Sequence, residues 1–225
     1  MRMENRQEKA LLVSDRDPST GLPDRAKALL DAWFGPPGDP ERDRQREIWF
    51  KGTAEFDASL RDAFLADYEA AAAGRLGSWE ALSEGALALV LLLDQISRNI
   101  FRGTPRAYAT DAAARAAADR ALEPGFDRLV PPVWRLFFYM PFHHSEDLPD
   151  QRRSVALFDT LPRNPDRRRS LRRYGRPYIE VIERFGRFPH RNKILGREST
   201  PDEIDILAER DKTTLHAPTD RRSSS

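Results

Sequence analysis

An all-α domain is predicted, on three observations. Apolar residues recur at three- and four-residue spacing, helix-opening and helix-closing residues punctuate the chain, and no stretch sustains the two-residue alternation of a strand. Pro23 opens a first helix, because its fixed φ suits a first helical position. Ala26, Leu29, Leu30, Trp33 and Phe34 follow on one face, and the Gly35 to Pro40 string closes the helix. Phe56, Leu60, Phe64 and Tyr68 repeat every four residues and mark a second helix, ended by Gly74. Ser78 is a good N-cap for a third, which runs through the apolar stretch to about Phe101, and Gly103 and Pro105 close it.

Asp111 to Leu122 reads as a small alanine-rich helix capped by Thr110 or Asp111, whose short side chains suit close approach to a neighbour. Pro131 and Pro132 open a fifth helix carrying Val133, Trp134, Phe137, Phe138 and Met140. Asp150 to Leu161 and Arg172 to Phe185 read as the sixth and seventh. Thr200-Pro201-Asp202-Glu203 starts a last helix, with an N-cap, a proline at the first position and a glutamate at the third. The expectation is about eight helices packed pairwise with little or no sheet, over residues 22–209, between a mobile segment 1–21 and a disordered tail 210–225. His216 in that tail is given no role. The arginine-thick stretch Pro162 to Arg176 reads as a solvated loop and helix start, or else as a patch for an acidic partner.

Composition narrows the function classes. Lys+Arg 37 against Asp+Glu 36 leaves a net charge of +1, without the basic excess of a nucleic-acid binder or a membrane-surface protein. Cysteine is absent, so disulfides, thiolate nucleophiles and Cys-ligated metals are excluded together; a reducing cytoplasm is consistent with this. The longest apolar run, Ala86 to Leu93, is far short of a membrane span. The N-terminal stretch has no apolar segment ahead of a small-residue cleavage site, so no signal peptide is expected.

Three segments break the rule of apolar core and polar surface. In the first, the apolar helix turns polar while its axis continues. Asp94 and Arg98 share one face, and Gln95, Asn99 and Arg102 form an adjacent polar line. If that helix is central, each of these groups needs a partner or lines a cavity. In the second, His143, His144, Ser145, Glu146 and Asp147 follow an aromatic helix. Adjacent histidines point different ways and the His-Glu-x-x-His spacing is missing, so no metal is expected; a histidine acid/base is a better reading than a metal, and the plainest is that one histidine caps a helix end and Ser145 or Asp147 caps the next helix. In the third, Gly186 and Pro189 set a non-helical path, Phe185 and Phe188 anchor it, and Arg187, His190, Arg191 and Asn192 are presented from it. Clustered guanidinium groups suit phosphate or carboxylate. Phosphate-loop, nucleophile-elbow, dinucleotide and kinase signatures are missing, and no cofactor is expected.

Taken together, these segments carry a resemblance. Asp94-Gln95-x-x-Arg98-Asn99-Ile100-Phe101-Arg102-Gly103, Pro141-Phe142-x-His144-Ser145-Glu146 with Gln151, and Arg184 to Asn192 with Leu195-Gly196-Arg197 and Ser199-Thr200 are similar to bacterial domain-of-unknown-function family nine hundred and twenty-four, over about Ala28 to Leu207. Trp33-Phe34 and the Ser154 to Phe158 helix fit as well. The resemblance implies a tetratricopeptide-like array of antiparallel helical hairpins and no established activity. Two departures stand out: Ile96-Ser97 where the family tends to have Phe-Pro, and Tyr178 where it tends to have a histidine.

Two functional readings follow. In the first, Asp94, Arg98, Asn99, Arg102, His144, Glu146, Arg187, His190, Arg191 and Asn192 converge on one polar pocket, and the arginines hold an anionic small molecule or peptide. In the second, His144 or His190 is the base of a metal-independent hydrolase or transferase, oriented by Glu146 or Asp94. The first needs converging donors around a hollow; the second also needs a histidine nitrogen on a carboxylate beside it. If the same side chains pair off completely, neither holds. Exposed aromatics leave room for a homodimer, and neither nucleic acid nor membrane is an expected partner.

Overall fold

A computed structural model describes residues 21–161 and 177–215. The N-terminal segment 1–20, the arginine-thick stretch Pro162 to Arg176, and His216 with the residues after it lie outside the described residues. The described residues are helices and turns with no strand among them, so the fold is all-α.

Helix α1 spans Asp24–Phe34 and follows Pro23, as its sequence predicts. It buries Ala26, Leu29, Leu30, Trp33 and Phe34. A short α2, Ile48–Lys51, was not foreseen; one turn is too short to show a period. Helix α3, Ala54–Ala72, is capped by Thr53, whose hydroxyl accepts from the Phe56 amide at 3.1 Å, and it buries the predicted Leu60, Phe64 and Tyr68.

The third predicted helix begins later than expected. Ser78 lies in a short 3-10 helix, Gly77–Ala81, and α4 starts five residues on, at Ser83–Leu91. The reason is a close backbone approach: a Cβ on Gly85 would stand 2.2 Å from the Trp79 carbonyl oxygen, so the two helices are folded back on each other at a glycine. Gly85→Ala is therefore expected to destabilise the domain by about 1–3 kcal/mol, because backbone rather than a movable side chain blocks the methyl. A urea titration unchanged from wild type would contradict that approach.

Helix α4 is buried on every side from Gly85 to Leu91 and packs against α1, α6 (Asp111–Leu122) and α7 (Arg135–His143). The buried face of α6 is Ala114, Ala117, Ala118 and Ala121, which lets the two helices lie close. Beyond Leu91 the same rod continues as a π turn, Leu92–Ile96, and then as α5, Ser97–Ile100. A π turn closes its hydrogen bonds one residue later than an α-helix and disturbs the ladder. Hydroxyls serve the displaced carbonyls: Ser97 Oγ donates to Leu93 O at 3.0 Å and Asp94 O at 3.1 Å, and Thr110 Oγ1 donates to Leu93 O at 2.6 Å. Thr110 thus precedes α6 as expected, but its side chain serves the neighbouring rod instead of capping its own helix.

Helix α8, Leu148–Asp159, packs on α7 and is capped by Asp147, which accepts from the Asp150 amide at 3.3 Å. Helix α9 covers 177–185, α10 is Asn192–Leu195, and α11 is Pro201–Leu215, which runs past position 210, the expected start of the tail. At the start of α11 the predicted box closes: the Thr200 amide donates to Glu203 Oε2 at 2.8 Å and the Glu203 amide to Thr200 Oγ1 at 3.3 Å. The aromatic centre lies around Phe34, whose ring stacks on Trp134 at 4.2 Å and meets Trp49 and Phe137 edge-on. None of the helices among the described residues is long and apolar enough to cross a membrane.

Candidate functional site

The polar run at the end of the central rod is where the site forms. Asp94, on the π turn, is fully buried. His144, the residue that ends α7, directs Nδ1 at its carboxylate, 2.8 Å from Oδ1 and 3.0 Å from Oδ2. Gln95 Nε2 donates to Oδ2 at 2.6 Å, and Arg98 Nη1 lies 3.2 Å from Oδ1 and donates to the Asp94 carbonyl at 2.7 Å. Burial pushes the Asp94 carboxyl up, but the His144 ring and the Arg98 guanidinium outweigh it and hold the group well below the usual carboxylate range.

An ionised carboxylate only accepts hydrogen bonds, so His144 Nδ1 carries the ring proton. Burial and the Arg98 charge, opposed by Asp94, lower the His144 pKa and favour the neutral ring, which leaves its lone pair on Nε2. Among the described residues no hydrogen-bond partner meets Nε2. His143 goes the other way. It is buried against Phe158 and Tyr178, and burial, then the His144 charge, push it down to about 3. Tyr178 is thus a ring on His143 at 4.5 Å.

His144 borders an open cleft of about 540 Å³. Its walls are Pro105, Tyr108, Ala109, Asp111, Ala112, Arg115, His144, Ser145, Glu146, Asp147, Arg191 and Leu195. Arg98 stands behind it and grips Asp111, with Nη2 at 2.9 Å from Oδ1. Arg191, from the 3-10 turn Pro189–Arg191, lies across the same space. It donates to the His144 carbonyl at 2.8 Å, rests on the rings of Tyr108 and Phe188 at 4.7 and 4.6 Å, and reaches Asp111 at 3.6 Å. Its Nε is buried with no hydrogen-bond partner. Burial and the nearby Arg98 charge lower the Arg191 pKa below the usual arginine range.

Glu146 locks the third segment to the second. It accepts from the Phe188 amide at 2.8 Å and from Arg197 at 2.7 and 2.9 Å. Burial raises its pKa, but the Arg197 and Phe188 hydrogen bonds outweigh that and lower it. Gly196, at φ +66°, ends α10 in the left-handed region and turns Arg197 back toward Glu146.

Of the ten residues predicted to share one pocket, the structure gathers five. His144, Glu146 and Arg191 line the cleft, and Asp94 and Arg98 stand immediately behind. The other five lie outside the cleft wall. Asn99 and Arg102 turn to Asp57 on α3, with Asn99 Nδ2 at 2.7 Å and Arg102 Nε at 2.5 Å. Arg187 and Asn192 hold Glu203 on α11, with Arg187 Nε at 2.7 Å and Asn192 Nδ2 at 3.1 Å. His190 is exposed, its ring tilted against Phe188 at 5.5 Å. Tyr108, Asp111, Arg115 and Asp147 were missed as site residues; Asp111 and Asp147 read locally as helix starts, and nothing in the spacing links Tyr108 to Arg191. Among the described residues no group of three His, Asp or Glu side chains is placed to hold a metal ion.

Comparison with known proteins agrees with the fold. The family described as "Bacterial protein of unknown function (DUF924)" matches residues 29–211. The solved structure of the protein of unknown function ATU0120 from Agrobacterium tumefaciens is 40% identical, covers 82% of this chain and 97% of that one, and superposes with a TM-score of 0.72. No curated protein matches.

Proposed function

The chain belongs to the bacterial family of unknown function DUF924, so its activity must be read from its own side chains, and we propose that the cleft beside His144 binds a small molecule or peptide through one anionic group held by Arg191. The observation that carries this reading is the state of Arg191. The guanidinium is buried at the cleft wall, yet its nearest carboxylate, Asp111, sits closer to Arg98. A buried charge with an imperfect counter-ion is costly, and an incoming carboxylate would improve its pairing.

The rest of the lining restricts the ligand. Asp111 and Glu146 are already gripped by Arg98 and Arg197, and Arg115 is paired with Asp150 at 3.3 Å, so Arg191 is the lining cation with the weakest counter-ion. Such a wall suits a single negative charge.

A thermal-shift screen of small monocarboxylates, phosphate monoesters and short peptides tests this. At least one monoanion should raise Tm, and Arg191→Ala should weaken its binding by roughly 10-fold or more. Arg187→Ala, whose guanidinium is committed to Glu203, should leave that affinity unchanged. A hit that binds Arg191→Ala as tightly as wild type would refute the assignment.

A further inference from the structure

Several polar groups of the motif segments are spent on structure. Tyr139 donates its hydroxyl to Asp127 at 2.5 Å within the core, Arg102 and Asn99 close on Asp57, and Arg187 and Asn192 close on Glu203. His144 is different, because one ring nitrogen is committed to a buried carboxylate and the other is left beside an open cleft.

We propose that His144 is the general base of an ester hydrolase acting on the anion-bearing ligand of this cleft, and that Asp94 is its positioning residue. The inference rests on the cleft-binding reading above. Asp94 fixes both the ring orientation and the tautomer, so that the lone pair is on Nε2, the nitrogen a base must use. The chain has no cysteine, and no described hydroxyl or amine is hydrogen-bonded to that nitrogen, so the nucleophile is water.

In the step, Nε2 takes a proton from the water as its oxygen bonds to the acyl carbon and the carbonyl electron pair moves onto oxygen. Collapse restores the carbonyl and breaks the bond to the alkoxy oxygen, which takes the proton back from the imidazolium. The products are a carboxylic acid and an alcohol, and His144 ends as it began. The acyl carbon attacked is a neutral centre on the same ligand whose one anionic group Arg191 holds.

The probe is the 4-nitrophenyl monoester of succinic acid, which carries one carboxylate and one activated ester; the matching anilide, unreactive, measures binding alone. Wild type should release 4-nitrophenol above the buffer rate, and His144→Gln should lower kcat about 100-fold or more, a larger factor than any change in anilide affinity. Asp94→Asn should lower kcat more than it changes KM. The wild-type rate should rise with pH to a plateau reached below the ordinary histidine range, as expected for an imidazole faced by Asp94, Arg98, Arg191 and His143. If Asp94→Asn fails to fold, His144→Gln and the pH profile still decide. Anilide binding with no ester turnover, or with turnover undiminished in His144→Gln, overturns the general-base assignment and leaves the binding reading standing. Absence of anilide binding overturns the ester-hydrolase assignment, while the monoanion screen above decides the binding reading by itself.

Discussion

Asp94→Ala is expected to cost about 3–5 kcal/mol of folding stability, because it removes one partner from a buried ionic cluster and leaves the rest in place. The Arg98 guanidinium, the His144 Nδ1–H and the Gln95 amide all point at this carboxylate, which is fully buried. With a urea slope of about 2 kcal/mol/M, the unfolding midpoint should fall by roughly 2 M. A loss under about 1 kcal/mol would mean that water already serves these groups. The effect carries a pH signature. The folded pKa of Asp94 lies below the unfolded one, so its stabilisation is complete above about pH 4 and drains away as pH falls toward the folded value. The gap between wild type and Asp94→Ala should therefore stay constant near neutrality and narrow in acid. His143 and His144 have lowered folded values too, so the unfolded chain takes up their protons first and stability begins to fall below about pH 6.5.

Phe34→Ala is expected to cost a similar amount, about 3–5 kcal/mol, by a different route. The ring is fully buried, lies flat on Trp134 at 4.2 Å with the planes 9° apart, and meets Trp49 and Phe137 edge-on at 5.6 and 5.4 Å. Those neighbours belong to separate elements, α2, the turn before α7, and α7 itself, so they cannot all collapse into the space left behind. Urea unfolding followed by tryptophan fluorescence reads both the stability loss and the altered setting of Trp134. Unlike Asp94→Ala, this variant should show no special narrowing in acid, since no titrating group is removed.

What the sequence discloses, and what it hides, divides by distance along the chain. Four-residue repeats such as Phe56, Leu60, Phe64 and Tyr68 show a helix and its buried face, and the Thr200 to Glu203 box shows where one starts, because both are local. Asp94 and Arg98 are one turn apart, so their pairing is readable too. The partner of Arg102 is not: Asp57 lies 45 residues earlier, and no periodicity announces it. The same blindness misassigned Arg187, whose guanidinium meets Glu203 16 residues later, on another helix. A polar side chain that interrupts an apolar rod must have a partner, but only the tertiary fold decides whether that partner is a neighbouring helix or an open hollow.

The π turn at Leu92–Ile96 gives the central rod an unusual economy. One extra residue in a helix swings everything beyond it by about 100° and advances it by about 1.5 Å. The part before the turn is left untouched as a scaffold, while the part after it is re-aimed as a unit.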